Sequence, residues 1–450
     1  MMMNMKLYLN LLIVAAVLFV SCKKQLDVKP ASDLQVPVSA ADFQAIMDYT
    51  TVFCVAWPSA GTIGADDGFV SDATWSAAAI TARNAYIWDR NVFNDFPRND
   101  WSYAYTAIFY ANVVLEGMGK YGKPNPEWQN IRGQASFFRG YAYYQLAQQF
   151  CKPYEEQSSA SDLGIVLRDS PDPNTKSSRA SVARTYQQII SDLTTAVRLL
   201  PVSVLTKTRP GKAAAYAALA RTYLSMRQYE KAGLYADSSL QLNAVLMDYN
   251  KIVPGAGLPF KRFNDEVLVH TIVVSTPLLL PIKYLVDTTL YASYEANDLR
   301  RTLFFKAVPE TAYVNFNGSY DGTTNLFNGP ATDEMYLVRA EALARSGRIA
   351  LALADLNLLR KNRFKASSFL PLSSGDATEV LGWILTERRK ELILRGGRWA
   401  DLRRLNKEPA YAKTLVKQIN GQQYALPPGD SRYVWPIPQE VITGTGIPQN

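Results

Sequence analysis

The chain has 450 residues, with 48 Lys plus Arg against 40 Asp plus Glu for a formal charge of +8, one His and three Cys. A single imidazole, His270, excludes zinc sites built on several His, the two-His helix of metalloproteases and His-rich redox centres. With 48% hydrophobic and 20% charged residues the body is globular rather than disordered, and its length suits one large domain or two ordinary ones.

The first element in chain order is a targeting segment. Lys6 precedes the run from Leu7 to Val20, apolar or aromatic apart from Asn10, which stops at Ser21-Cys22-Lys23-Lys24. That run is too short to cross a bilayer as a helix and fits the h-region of a secretory signal. A small residue directly before a Cys at its end resembles a bacterial lipobox, with Phe19 where Leu is usual, and implies removal of residues 1–21 and acylation of Cys22. Residues 22–40, polar and carrying Pro30 and Pro37, then read as a lipid-anchored spacer in front of a single domain over residues 41–450.

From Thr51 to Asn99 the aromatics Trp57, Trp75, Tyr86, Trp88 and Phe96 stand among Gly, Ser, Asn and Asp without helical periodicity. The segment reads as a loop-rich excursion, and aromatics in polar loops are candidate ligand platforms. Asp66, Asp67 and Asp72 crowd a Gly-containing loop there and are candidate calcium ligands, although the bidentate Glu of an EF-hand is missing. A helix is expected from Trp101 to Leu115. The literal G-x-G-x-x-G that follows, Gly117 to Gly122, comes after a helix instead of a strand and so reads as a helix end and turn, not a nucleotide loop.

Helices are expected over Trp128–Phe150 and Ser181–Leu200, separated by a Ser/Pro/Asp-rich loop. Superposing Tyr216 on Tyr336 without gaps pairs Ala220 with Ala340, Tyr229 with Ile349 and Ala232 with Ala352, the slots of a tetratricopeptide unit. The spacing predicts helices over Lys212–Met226 and Tyr229–Leu242, and a second copy from Asp333 to Arg360 around the turn Arg345-Ser346-Gly347-Arg348. A last pair is expected over Thr378–Arg395 and Trp399–Leu405. Because one pair cannot bury its apolar face alone, the fold class is mainly α, about four stacked tetratricopeptide-like helix pairs with loop-rich excursions and a few short strands. An N-terminal part (about 41–250, with a ligand region at 51–100) and a C-terminal part (about 260–450) make up the domain. Between the repeats, residues 253–330 carry short strands and the aromatics Tyr291, Tyr294, Phe316 and Tyr320.

His270 lies in the apolar run Val267–Val274 and reads as a hydrogen-bonded strand residue. Cys54 and Cys151 could bridge in an exported protein, without any supporting framework. Glu387 and Glu391 share a helical face at i, i+4, but Arg388, Arg389, Arg395 and Arg398 beside them favour ionised, ion-paired carboxylates over a general acid. The same interleaving of Arg with Glu387, Glu391 and Asp401 argues against a nucleic-acid track.

Several segments resemble the SusD/RagB family. They are the lipobox followed by Gln25-Leu26-Asp27-Val28-Lys29-Pro30, then Tyr110–Glu116, Phe138–Leu146, Tyr186–Leu193, and the repeat from Ala213. Most specific are Glu387–Leu392 followed by Gly397–Arg404, with Gly397 where His is common and Ala400 where an aromatic is common, and then Trp435–Gln439. The resemblance implies a non-catalytic, lipid-anchored protein at the cell surface of the outer membrane. It would bind oligosaccharide or polysaccharide and act as the lid of a SusC-like TonB-dependent transporter barrel, with no cofactor and no nucleic acid. Its repeats would support the transporter contact, and its ligand site would lie on the loop-rich side.

A pyranose offers an apolar C–H face to aromatic rings and a rim of hydroxyls to Asn, Asp and Arg. The candidate glycan segment is therefore Arg83 to Asn94, where Arg83, Asn84, Asp89, Arg90, Asn91 and Asn94 flank Tyr86 and Trp88, followed by Trp75, Trp57, Tyr291, Tyr294 and Tyr320. Two other classes fit parts of the sequence. A surface glycoside hydrolase would need two facing carboxylates without basic neighbours, and a peptide-binding tetratricopeptide adaptor would carry its specificity on the concave face.

Overall fold

Capping residues set where the long helices begin. The structure, a computed structural model, describes residues 36–55, 57–93, 99–255 and 257–450. The chain divides into residues 1–39, of which only the irregular 36–39 are described, and residues 40–450. The lipobox with Cys22 lies outside the described residues, as do Asn94 and Phe96. The second unit opens with α1 (Ala40–Met47), α2 (Ala60–Gly64), β1 (Gly68–Phe69), α3 (Asp72–Ser76) and α4 (Ile80–Tyr86). Next, α5 (Asp100–Tyr121) starts at a capping box, in which the Asn99 side chain accepts from Ser102 N while Ser102 Oγ accepts from Asn99 N. Asn125 caps α6 (Pro126–Phe150), whose first residue is proline.

The expected end of α5 at Leu115 is six residues too early. Gly117 is helical, and a Cβ there would come within 2.2 Å of the Phe43 ring, so this glycine serves the close approach of α1; Gly122 is the cap. The loop after α6 carries the hairpin β2 (Leu163–Val166) and β3 (Arg179–Ser181), and Ser181 caps α7 (Val182–Leu199).

The repeats follow as α8 (Lys212–Ser225) and α9 (Tyr229–Leu242). After them come the short strands β4 (Leu285–Val286), β5 (Phe305–Ala307) and β6 (Val314–Phe316), then α10 (Thr332–Arg345), α11 (Ile349–Lys361), α12 (Ala377–Glu391) and α13 (Arg398–Leu405). The hairpin β7 (Leu415–Ile419) and β8 (Gln422–Leu426) follows them. Helices α5 to α11 pack each on the next, which is the helix-rich, repeat-based fold that the sequence predicts. Small residues make the crossings possible: Ala220, Ala232, Ala340 and Ala352 have no exposed surface, and a Cβ on Gly233 would stand 2.6 Å from that of Ala342. The expected pairing of α12 with α13 is replaced. Helix α12 packs on α10 and α11, whereas α13 packs on α2 and α8, and the Arg388–Asp401 ion pair (2.8 Å) ties the two.

The charges of α12 and α13 are interior. Arg300 reaches Asp298 (2.8 Å), Glu387 (2.5 Å) and Glu391 (2.6 Å), while Arg363 bridges Glu391 and Glu266 (2.8 Å each). Arg404 pairs with Glu341 (2.7 Å) and Asp401 (2.8 Å). All of these side chains are buried, so removing one partner strands a charge away from water, at a cost of about 3–5 kcal/mol. Arg403 has no carboxylate; it donates to the carbonyls of Ala147, Gln148 and Cys151, the negative end of the α6 dipole.

The strand expected over Val267–Val274 is not continuous. Its backbone makes isolated bridges to Trp57, Phe327 and Ala331. His270 within it is buried, 2.8 Å from Asp321 through Nε2, and its backbone N donates to the Lys207 carbonyl. Cys54 and Cys151 are both free and buried, and burial pushes each thiol up to about 12, which makes them packing residues.

Candidate functional site

The segment from Trp57 to Phe93 forms short helices, and most of its rings point inward. Trp57 is buried, its indole donating to the Phe53 carbonyl (3.2 Å) and its ring edge-on to Tyr141 (4.9 Å). Trp88, at φ +59°, closes the turn after α4 and donates to the Gly64 carbonyl (2.9 Å). Tyr86 is buried beneath Val70, whose N–H its hydroxyl accepts. Tyr294 donates to the Lys390 carbonyl (2.7 Å), and Tyr320 lies between Tyr249 (2.7 Å) and Glu266 (2.8 Å). Trp57, Tyr86, Trp88, Tyr294 and Tyr320 are thus core residues with no ring face open to a ligand, which corrects their reading as platforms. Helices of five to seven residues have too few turns to display an apolar stripe, so burial here leaves no periodic signal.

The polar neighbours of Trp88 are engaged locally. Asn84 Nδ2 donates to the Asn91 carbonyl, Asp89 Oδ1 accepts from Asn91 N, and Arg90 donates to Ser431 Oγ. Two of the sequence-predicted aromatics, Trp75 and Tyr291, keep an accessible side. Trp75 is half-buried, its indole donating to the Arg83 carbonyl (3.1 Å) with the Arg83 guanidinium 5.5 Å from its ring centroid. Tyr291, also half-buried, stands edge-on to Phe305 (5.2 Å) beneath Arg301 (4.8 Å).

A second surface adjoins Trp75 in the chain. The antiparallel sheet β1-β4-β6-β5 pairs Phe69 with Leu285, Leu285 with Asn315, and Asn315 with Lys306. This row is half-buried to exposed, whereas Gly68, Val286, Val314 and Phe316 of the alternate rows are buried. Tyr313, at the entrance to β6, is exposed and meets Phe69 edge-on at 5.2 Å. The result is an open face with two aromatic side chains, an amide and an ammonium, and α3 with Trp75 begins three residues after Phe69. Sequence reading passes over Phe69 and Tyr313, because alternation within strands of two or three residues is too brief to register.

The carboxylates near this face are committed to protein partners. Asp66 is half-buried against Arg398 (2.7 Å), Lys413 (2.9 Å) and Arg389 (3.2 Å). Burial alone would raise its carboxyl, but these cations outweigh burial and hold it well below the usual range. Asp67, which accepts from Leu394 N (3.0 Å), is pushed up to about 6 by burial and by Asp66. Asp72 is exposed and accepts from Asn420 N. The three therefore face different partners and do not converge as a calcium site. Among the described residues, the acidic group close enough to share an ion is Glu266, Asp333 and Glu391, and Arg363, Arg395 and Arg300 pair with these carboxylates. Glu387 and Glu391 are likewise ion-paired, which leaves neither as a general acid.

Helices α9, α10 and α11 line a groove of about 760 Å³, with Leu234 and Leu351 of its lining exposed. No helix among the described residues is long and apolar enough to cross a membrane.

Two family models match the chain. Residues 24–224 fit one described as starch-binding associating with outer membrane, and residues 332–448 fit the SusD family model. SusD-like protein P2 of Formosa agariphila is 30% identical over 68% of this chain and 71% of its own length. SusD-like protein P38 of the same organism is 32% identical, but the match spans 32% of this chain and only 26% of that protein. A SusD superfamily protein from Bacteroides fragilis superposes with a TM-score of 0.72 at 22% identity, covering 91% of this chain and 98% of that one. A laminarin-binding SusD-like protein superposes at 0.65 with 18% identity, covering 91% and 98%. The chain belongs to the SusD/RagB family.

Proposed function

We propose that this SusD/RagB chain captures oligosaccharide at the outer surface of the outer membrane, anchored through Cys22, and passes it without cleavage to a TonB-dependent transporter barrel. The observation that carries the reading is the open sheet face with Phe69 and Tyr313, flanked in the chain by Trp75 and Arg83. Half-open rings among Asn315, Lys306 and Arg83 suit a pyranose, whose C–H face stacks while its hydroxyls take hydrogen bonds. The family description, starch-binding associating with outer membrane, and the laminarin-binding relative support a glycan ligand. Ion-paired carboxylates support binding over hydrolysis. The groove with exposed Leu234 and Leu351 supports a protein partner on the repeat side.

The test is a glycan screen of the mature protein followed by calorimetry on Trp75→Ala, Phe69→Ala and Tyr313→Ala, with product analysis alongside. Truncating a stacking ring should weaken binding about ten- to hundredfold, or about 1–3 kcal/mol. Wild-type affinity in all three variants would reject this face, and release of shorter sugars would favour the hydrolase. A Cys22→Ala protein should leave the outer-membrane fraction.

A further inference from the structure

A small cavity lies where α6, α8, α12 and α13 meet, remote in the chain from the sheet face. It has room for one water-sized particle, about 20 Å³, and its wall includes Gln149, Arg388, Arg395, Gly397, Trp399 and Ala400. The space exists because two wall residues lack bulk: Gly397 has no heavy atom within 4 Å of where a Cβ would stand, and Ala400 offers a single methyl.

Three N–H groups of that wall have no acceptor among the described residues. They are Arg388 Nη1, Arg395 Nε and Trp399 Nε1, on side chains that are 4%, 5% and 1% exposed. Gln149 Oε1 is the one wall acceptor without a partner. The other nitrogens of the two arginines are used: Arg388 binds Asp401 through Nε (2.8 Å) and Glu334 through Nη2 (3.2 Å), and Arg395 binds Asp333 through Nη1 (2.8 Å). Four guanidinium groups line the cavity, Arg221, Arg388, Arg395 and Arg404, and each is paired with a carboxylate: Arg221 and Arg388 with Glu334, Arg388 and Arg404 with Asp401, Arg395 with Asp333, and Arg404 with Glu341. An unpaired buried N–H is costly, and more so on a charged group. A water molecule accepts two hydrogen bonds, fewer than the three unpartnered donors on these wall residues, and phosphate or sulfate exceeds the cavity's volume.

We propose that this cavity is a structural site for one monoatomic anion of chloride size, held by the N–H groups of Arg388, Arg395 and Trp399. The anion would satisfy three donors together where α12 and α13 join the repeats.

The test compares thermal unfolding of the mature protein in sodium gluconate, chloride and bromide at one ionic strength, with crystals grown in bromide and measured for anomalous scattering. The midpoint should rise in chloride and bromide and saturate with concentration, and an anomalous peak should stand within hydrogen-bond distance of Trp399 Nε1. Ala400→Leu, which fills the cavity without touching a charge, should fold, lose the halide-dependent shift and show no peak. Equal midpoints in all three salts, or a peak without any shift in solution, would overturn the proposal and leave a water molecule in the cavity. An undiminished shift in Ala400→Leu would overturn it as well, because the halide would then act elsewhere.

Discussion

The repeat helices α8 to α13 and the segment from Trp57 to Phe93 both contribute to the interior, yet they fill space in opposite ways. In the repeats, Ala220, Ala232, Ala340, Ala352 and Gly233 keep helix axes close, Leu337, Leu356, Leu359 and Ile384 fill the space between them, and guanidinium–carboxylate pairs tie the helices together. In the aromatic segment single large rings do the filling, the Trp57 and Trp88 indoles donating to the Phe53 and Gly64 carbonyls and the Tyr86 hydroxyl accepting from Val70 N. The first region should therefore resist added volume and lost charge, and the second should resist lost volume.

The largest effect is expected in the charge network. Glu391→Ala leaves Arg300 and Arg363 without a shared carboxylate in a site with no exposed surface, and should destabilise by about 3–5 kcal/mol in denaturant titration. A loss below about 1 kcal/mol would mean that these arginines find other partners. Next is Trp88→Ala. Removing a ring that is 1% exposed should cost about 3 kcal/mol or more, so a binding defect in this variant would follow from unfolding and not from a lost platform. Ala220→Leu or Ala340→Leu adds volume at a crossing and should cost about 1–3 kcal/mol; wild-type melting in both would contradict the close packing.

How much of this could be read from the sequence follows from element length. Helices α8 to α11 have 13 or 14 residues, long enough for small residues to recur on one stripe, and the offset from Tyr216 to Tyr336 exposed the repeat. Ion pairing of Glu387 and Glu391 was readable from their basic neighbours, but not its depth, because the partners Arg300 and Arg363 come from distant segments. In α3 and α4, five and seven residues long, Trp75 and Tyr86 look alike in sequence. Only the tertiary fold leaves the first half-open and buries the second.

Lys417 gives a smaller effect that probes the aromatic segment through pH. Its ammonium lies 3.8 Å from the Tyr86 ring centroid and 5.4 Å from that of Trp88, and donates to the Ile63 carbonyl (2.8 Å). Burial lowers its pKa to about 7, against the opposing pull of Asp66 and Asp67. Between that value and the ordinary 10.5 the unfolded chain holds one more proton than the folded chain, so this contribution rises with pH across the window and is absent below it. The wild type should gain up to about 1.4 kcal/mol per pH unit above pH 7 relative to Lys417→Met. Parallel pH curves for the two proteins would show that the rings hold the ammonium charged.

The smallest effect tests whether the accessible edge of the aromatic segment is separate from its core. In Arg83→Ala the Trp75 indole keeps its acceptor, because that bond runs to the Arg83 backbone carbonyl. What is lost is the guanidinium 5.5 Å from the ring centroid, a contact of about 0.5–1 kcal/mol at a partly exposed site. Ala also favours α4 as a helix former, which trims the loss further. Denaturant titration should therefore place Arg83→Ala within about 1 kcal/mol of wild type, while calorimetry shows weaker binding to whichever glycan the screen returns. A destabilisation as large as that of Trp88→Ala would mean that Trp75 and Arg83 belong to the core after all, leaving Phe69 and Tyr313 to carry the site. Unchanged stability with unchanged affinity would remove Arg83 from the ligand face and keep the ring of Trp75 as its only contribution from α3 and α4.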